Sequence, residues 1–220
     1  MKNLILLLML IVLTSGCHFG INHNVIGSGT RQIQKRDVPA FSSISTEGAF
    51  DIQVVCQKPQ SLEIEADDNI LPLISTDVSN KVLHIRSLRG YSNREPIMVK
   101  IAVENLDGVS ASGAGKIDVS GVKNDKFEID ISGAPTVRVS GDTKVVNIDA
   151  SGAGKVDAHK LHASRATVDS KGVSHVEVYA GEELNVTIAG PSHVTYDGDP
   201  VVNKTVHGPG SVEKRESSGS

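Results

Sequence analysis

Glycine recurs in this chain with a period that few folds can accommodate. Gly113, Gly133, Gly152, Gly172, Gly190 and Gly208 are separated by 20, 19, 20, 18 and 18 residues. Four positions after each stands a β-branched residue: Ile117, Val137, Val156, Val176, Val194 and Val212. Four positions before stand Val109, Ile129, Ile148, Val168 and Val186, with Lys204 the one departure. Between these markers apolar and polar residues alternate. In Ile129-Asp130-Ile131-Ser132-Gly133 the isoleucines share one face and Asp130 and Ser132 the other. After the turn, Val137 and Val139 face in while Thr136 and Arg138 face out. Period-two alternation on both sides of a tight turn marks two strands. A fixed repeat of 18–20 residues marks units that stack on one another. Glycine supplies the positive φ that a sharp corner between two sheets requires.

The pattern predicts an all-β chain, a parallel β-solenoid with one coil per repeat. Six coils at about 4.8 Å spacing make a column roughly 25–30 Å long. A sandwich of hairpins would also alternate, but it leaves the fixed period without a cause. Composition fits a thin core: aromatics are 3% of the chain and Trp is absent, so Val, Ile, Leu and Ala must fill the interior. The first half is less regular. Residues 32–44, 49–56, 61–66, 81–86 and 97–103 read as strands. Residues 68–74 break the alternation as a loop or a short helical turn, and 88–95 read as an exposed loop. Gly48, with Ile52 four places on, repeats the corner signature, so this half reads as a continuation of the same solenoid. One domain is expected over residues 27–213, followed by a polar, disordered tail at 214–220.

Residues 1–16 read as a signal peptide. Lys2 gives a basic start, and Leu4 to Leu13 is an unbroken apolar run, too short to span a bilayer as a helix. Thr14-Ser15-Gly16-Cys17 resembles a bacterial lipobox, although Thr14 stands where Leu is usual and Leu13 comes one step early. The resemblance implies cleavage before Cys17 and lipidation of its thiol, with residues 17–26 as a tether. Two or more acyl chains would hold the protein stably on a membrane. His18 rather than Asp follows the cysteine, which by the usual sorting rule points to the outer membrane. Ordinary signal cleavage, giving a soluble exported protein, is the alternative. Cys56 then has no disulfide partner in the chain, and its place on the apolar face of Ile52 and Val54 makes it an inert core thiol.

The chemistry-bearing motifs are few. Gly113-Ala114-Gly115-Lys116 and Gly152-Ala153-Gly154-Lys155 miss the phosphate-loop spacing, which needs Ser or Thr where Ile117 and Val156 stand. A net charge of −4 with no basic block argues against nucleic-acid binding. Stacking turns equivalent outward positions into columns. One reads Ser110, Asp130, Asp149, Asp169, Thr187, Thr205. Like charges directly opposite repel, and a hard cation such as Ca²⁺ would relieve Asp130, Asp149 and Asp169; the alternative is a solvated acidic stripe. A second column reads Lys116, Thr136, Lys155, His175, His193, Ser211, placing two imidazoles side by side with Glu177 within reach. Structural or catalytic zinc needs three or four ligands, so surface histidines are the simpler reading. A third, Asp118, Arg138, Asp157, Glu177, reads as charge pairing between coils. No cofactor other than Ca²⁺ is expected.

Several segments resemble a known family. Gly27-Ser28-Gly29, Phe41-Ser42-Ser43-Ile44, Gly48-Ala49-Phe50-Asp51-Ile52 and above all Glu65-Ala66-Asp67-Asp68-Asn69-Ile70-Leu71-Pro72-Leu73-Ile74 look like the bacterial DUF2807 proteins, described as auto-transporter adhesins with a head GIN domain. The Ser-Gly-Ala corners at Ser112, Ser132 and Ser151 resemble that family's turn repeats. The resemblance covers residues 27–213. It implies a right-handed parallel β-solenoid of pectin-lyase-like shape, and it carries no catalytic residues over. The expected function is a non-catalytic binding or adhesion module on the cell envelope, presenting flat faces to a glycan or protein ligand. Self-assembly into a homo-oligomer and a polysaccharide-active enzyme are the rivals, because fold alone excludes neither.

Overall fold

A computed structural model describes residues 24–215. The expected signal peptide, Cys17 and most of the expected tether lie outside the described residues, as do residues 216–220. The described chain is a β-solenoid of stacked parallel coils. Its register follows the glycine repeat. Gly113 pairs with Gly48 on one side and Gly133 on the other, and Gly152 pairs with Gly172. All seven corner glycines, Gly48 to Gly208, have φ between +82° and +126°. They stack backbone on backbone: a Cβ on Gly152 would lie 2.4 Å from the Gly133 carbonyl oxygen.

Inside the column, alternate residues close a narrow apolar core. Ile117, Ile129, Ile131, Val137, Ile148, Val156, Val168, Val176 and Ile188 are buried, and Phe50 and Phe127 are the largest side chains fully enclosed with them. Long strands such as Lys116–Gly133, Thr136–Gly152 and Lys155–Gly172 run around most of a coil and bend at corners instead of ending there. The positive-φ Gly121 and Gly141 take one of these bends.

The N-terminal half departs from a simple continuation in two ways. First, coil order in space is not chain order. Ser43–Gly48 lies between Val82–Ser87 on one side and Gly108–Gly113 on the other, and Phe50–Cys56 lies between Ile97–Val103 and the start of Lys116–Gly133. The chain lays down one coil, builds outward beyond it, and then returns across it through residues 104–107. Backbone bonds from Gln57 N–H to Glu104 O and from Asp107 N–H to Ser42 O hold that crossing.

Second, antiparallel strands close this end. Arg31–Lys35 pairs with Ser61–Asp67, which pairs with Ile97–Val103, and Ile74–Ser79 pairs with Val82–Ser87. Leu71–Leu73 forms the expected short turn, as a 3-10 helix. It carries Ile70 and Leu71 into the end of the core. Arg36 fastens the closure, donating to the carbonyls of Leu71 and Ile74 and to the Thr76 hydroxyl.

Four local readings are corrected. The expected strand 32–44 is two strands, Arg31–Lys35 and Ser43–Gly48, because the chain leaves the antiparallel layer at Arg36 and enters the coil only at Ser43. The strand Ile74–Ser79 was not legible. Val25–Ile26, placed at the end of the tether, pairs with Tyr91–Ser92 inside the expected loop. Lys214, expected in a disordered tail, ends the strand Ser211–Lys214, and Arg215 N–H still donates to Tyr196 O. Cys56 is a free, buried thiol, and burial pushes its pKa up to about 11.

Candidate functional site: a groove between two bulged coils

The coil periods of 20, 19 and 20 residues between Gly113 and Gly172 have a structural consequence. The middle coil is one residue shorter than both neighbours, so each neighbour must bulge against it. One register shift falls between Val119 and Val122, the other opposite Arg138 to Ser140. Both occur at the same corner. Arg138, Val139 and Ser140 therefore sit at the floor of a recess of about 370 Å³, walled by Gln53, Val55, Asp118, Ser120, Asp157, His159 and Lys160. Beside the bulge, the His159 imidazole meets the Asp157 carboxylate, two residues back on the same outward face.

Along the third column charge alternates from Asp118 to Arg138 to Asp157, and the next member, Glu177, is again acidic. Asp118, Arg138, Asp157 and Glu177 are register partners in successive coils. The Arg138 guanidinium lies 3.2 Å from Asp118 and 3.9 Å from Asp157, bridging the two carboxylates across three coils. Lys116 also meets Asp118 at 2.8 Å. At the far end Glu177 is 15% exposed and accepts from Lys155 at 2.7 Å, with His175 at 3.3 Å and Arg215 on its other oxygen. Burial pushes the Glu177 carboxyl up, but Lys155, Arg215 and His175 outweigh it and hold it below the ordinary range.

Among the described residues, one group of three metal-ligating side chains converges. The ligand atoms of Asp157, His159 and Glu177 lie within 4.8 Å of one another. Arg138, Lys155 and Arg215 already neutralise its carboxylates, so a cation would have to displace them. The surface of the recess is mostly apolar, with the half-exposed Val55 part of it, and charged side chains stand around it, chemistry suited to a ligand with an apolar face and polar edges.

The sequence-derived columns stand where expected. Ser110, Asp130, Asp149, Asp169, Thr187 and Thr205 are successive register partners. Partial loss of solvent, and then the neighbouring Asp149, raise the Asp130 carboxyl above its ordinary value. The three aspartates line a second concavity but do not gather around a point. Coil spacing explains this: the first and third members of any column are roughly 10 Å apart. His175 and His193 stack as predicted, with ring centroids 5.5 Å apart and planes 12° from parallel. Glu177 reaches His175, whereas His193 lies beside Ser211 and 3.9 Å from Glu213. His159 and the recess escaped the sequence reading, although the 20-19-20 spacing was their signal.

The fold and groove define a rigid, repetitive β-solenoid whose distinctive chemistry lies on an outer face. A family model described as "Putative auto-transporter adhesin, head GIN domain" matches residues 40–200, and the chain belongs to this family, DUF2807. It is similar to a solved structure described as a putative adhesin from Bacteroides fragilis, at 19% identity and TM-score 0.72, over 87% of this chain and all of that one. A putative adhesin from Parabacteroides distasonis aligns at 21% identity and TM-score 0.56, over 88% of this chain and all of the other. A protein of the same species described as a putative lipid binding protein aligns at 18% and 0.52, over 88% and 100%. At these identities the likeness speaks for the fold. No curated protein matches the sequence.

Proposed function

We propose that the chain is an envelope-anchored, non-catalytic binding module that engages a glycan or protein through the groove centred on Arg138. The recess itself carries this reading: two opposed bulges interrupt an otherwise regular column at one corner, and charged side chains are fixed around the gap they leave. Family membership and the adhesin descriptions of its relatives support it. A rigid column suits recognition because its side chains are ordered before the ligand arrives, so little conformational entropy is lost on binding. Lipidation at Cys17 would place the column on the envelope, with the outer membrane the destination that His18 favours.

The test is a glycan and extracellular-matrix array probed with residues 18–220, with and without Ca²⁺. Saturable binding lost in Arg138→Ala assigns the groove. Binding that needs Ca²⁺ and is lost in Asp149→Ala assigns the column of Asp130, Asp149 and Asp169 instead. Silence of the folded protein under both conditions refutes the adhesion reading. Radiolabelled fatty acid retained by wild type and lost in Cys17→Ala tests the anchor separately.

A further inference from the structure

The two ends of the column are built differently. At the N-terminal end, the antiparallel strands Arg31–Lys35 and Ile74–Ser79 lie outside the parallel coils, and each also pairs on one side only among the described residues. At the other end the last coil, Val201–His207 and Ser211–Lys214, pairs on one side only among the described residues. Its outer backbone groups form an unpaired edge, the arrangement that invites another strand.

The inward positions of this last coil follow the repeat except at one place. Val202 stacks on Leu184, Val206 on Ile188 and Val212 on Val194. Lys204 stacks on Val186, in the column whose earlier members Val109, Ile129, Ile148, Val168 and Val186 are all at most 3% exposed. A lysine can lay its aliphatic stem over Val186 while its ammonium stays in water. Sealing that ammonium beneath another coil would strip its hydration with no carboxylate to replace it.

Lys204 also stands at the middle of the seven-residue strand Val201–His207. If two copies met end to end, in-register antiparallel pairing would set Val202 against Val206 of the other copy, an apolar match on each side. It would set Lys204 against Lys204 on the two-fold axis. We infer that the C-terminal coil is a latent pairing surface for a second copy of this chain, held open by Lys204. Two-fold pairing of this kind uses the same edge on both copies, so it stops at two chains. This goes beyond the binding role proposed for the groove and does not depend on it.

The experiment is sedimentation equilibrium of residues 18–220, which contain every described residue. Wild type should have the mass of one chain. Lys204→Ile, completing the aliphatic column, should form a reversible dimer, and adding Val202→Lys to that variant should return it to one chain. Lys204→Met, whose unbranched side chain follows the lysine stem, gives the same reading if the branched residue impairs folding. A folded Lys204→Ile or Lys204→Met that keeps the mass of one chain overturns the inference. So does a wild type that already dimerises through this edge, or a Lys204→Ile that polymerises without limit.

Discussion

Gly29 and Gly133 form a matched pair for measuring what the glycine column contributes. Their φ values are nearly equal, +81° and +82°, so alanine at either enters the same left-handed φ range. Forcing a non-glycine residue into left-handed backbone costs about 1–2 kcal/mol. The surroundings differ completely. A Cβ at Gly29 meets nothing within 4 Å, whereas at Gly133 it would lie 2.7 Å from the Gly113 carbonyl oxygen and 3.0 Å from the Gly113 nitrogen. Ordinary contact begins at 3.4 Å, so the two coils must separate locally by several tenths of an ångström. That separation acts on the bonds from Ala134 N–H to Gly113 O at 2.7 Å and from Thr136 N–H to Gly115 O at 2.9 Å. Losing two such bonds costs about 2 kcal/mol, at about 1 kcal/mol each. Gly133→Ala should therefore destabilise by about 3–4 kcal/mol and Gly29→Ala by only about 1–2 kcal/mol. Urea unfolding monitored by far-UV circular dichroism measures both. Equal losses would refute the idea that close coil stacking, beyond positive φ, requires glycine in the column.

Three further outcomes follow from the packing and electrostatics. Phe127→Ala empties a fully buried site in the middle of the column and should cost about 3–5 kcal/mol in the same urea assay; a loss below about 1 kcal/mol would mean that the coils collapse into the space. Glu177 has a lowered folded pKa, so its contribution is present above its unfolded pKa and is lost as pH falls through the folded one. Melting temperature should therefore fall on acidification through that window less steeply in Glu177→Gln than in wild type, and identical slopes would remove Glu177 from the acid response. Cys56 should resist a thiol-specific chromogenic reagent at pH 8 until the protein is denatured, since its thiol is buried and its pKa is about 11; rapid reaction of native residues 18–220 would place it at the surface.

The coiled half of the fold was legible because each of its determinants is local. A corner glycine, a valine four residues later and alternation between them specify one coil, and repetition specifies the stack. Columns of outward residues follow from register alone, which is why Asp130, Asp149 and Asp169, and His175 beside His193, were placed correctly. What lay hidden depends on partners distant in sequence. Ile74–Ser79 alternates no better than a loop, and only its pairing with Val82–Ser87 makes it a strand. Likewise, no local feature of Ser43–Gly48 says that its two neighbours are Val82–Ser87 and Gly108–Gly113. The groove is an intermediate case. Its cause, one residue fewer between Gly133 and Gly152, is visible in the sequence, but its position at the Arg138 corner depends on where the neighbouring strands absorb the difference.

The misplaced first coil also sets a direction for folding. From Glu128 onward, each strand pairs with one already laid down 18–20 residues earlier, a short closure that can repeat step by step, whereas residues 116–120 still pair 65 residues back with 51–55. The start is different. Ile44 must find Val109, 65 residues further on, after the intervening chain has built the closed end and crossed back. Closing so long a loop is entropically unfavourable before any contact compensates, so the slow step belongs to residues 43–113 and the remaining coils follow from it. Deleting residues 201–215 therefore removes one outer layer, whereas deleting residues 43–56 takes out the layer on which both neighbours are built.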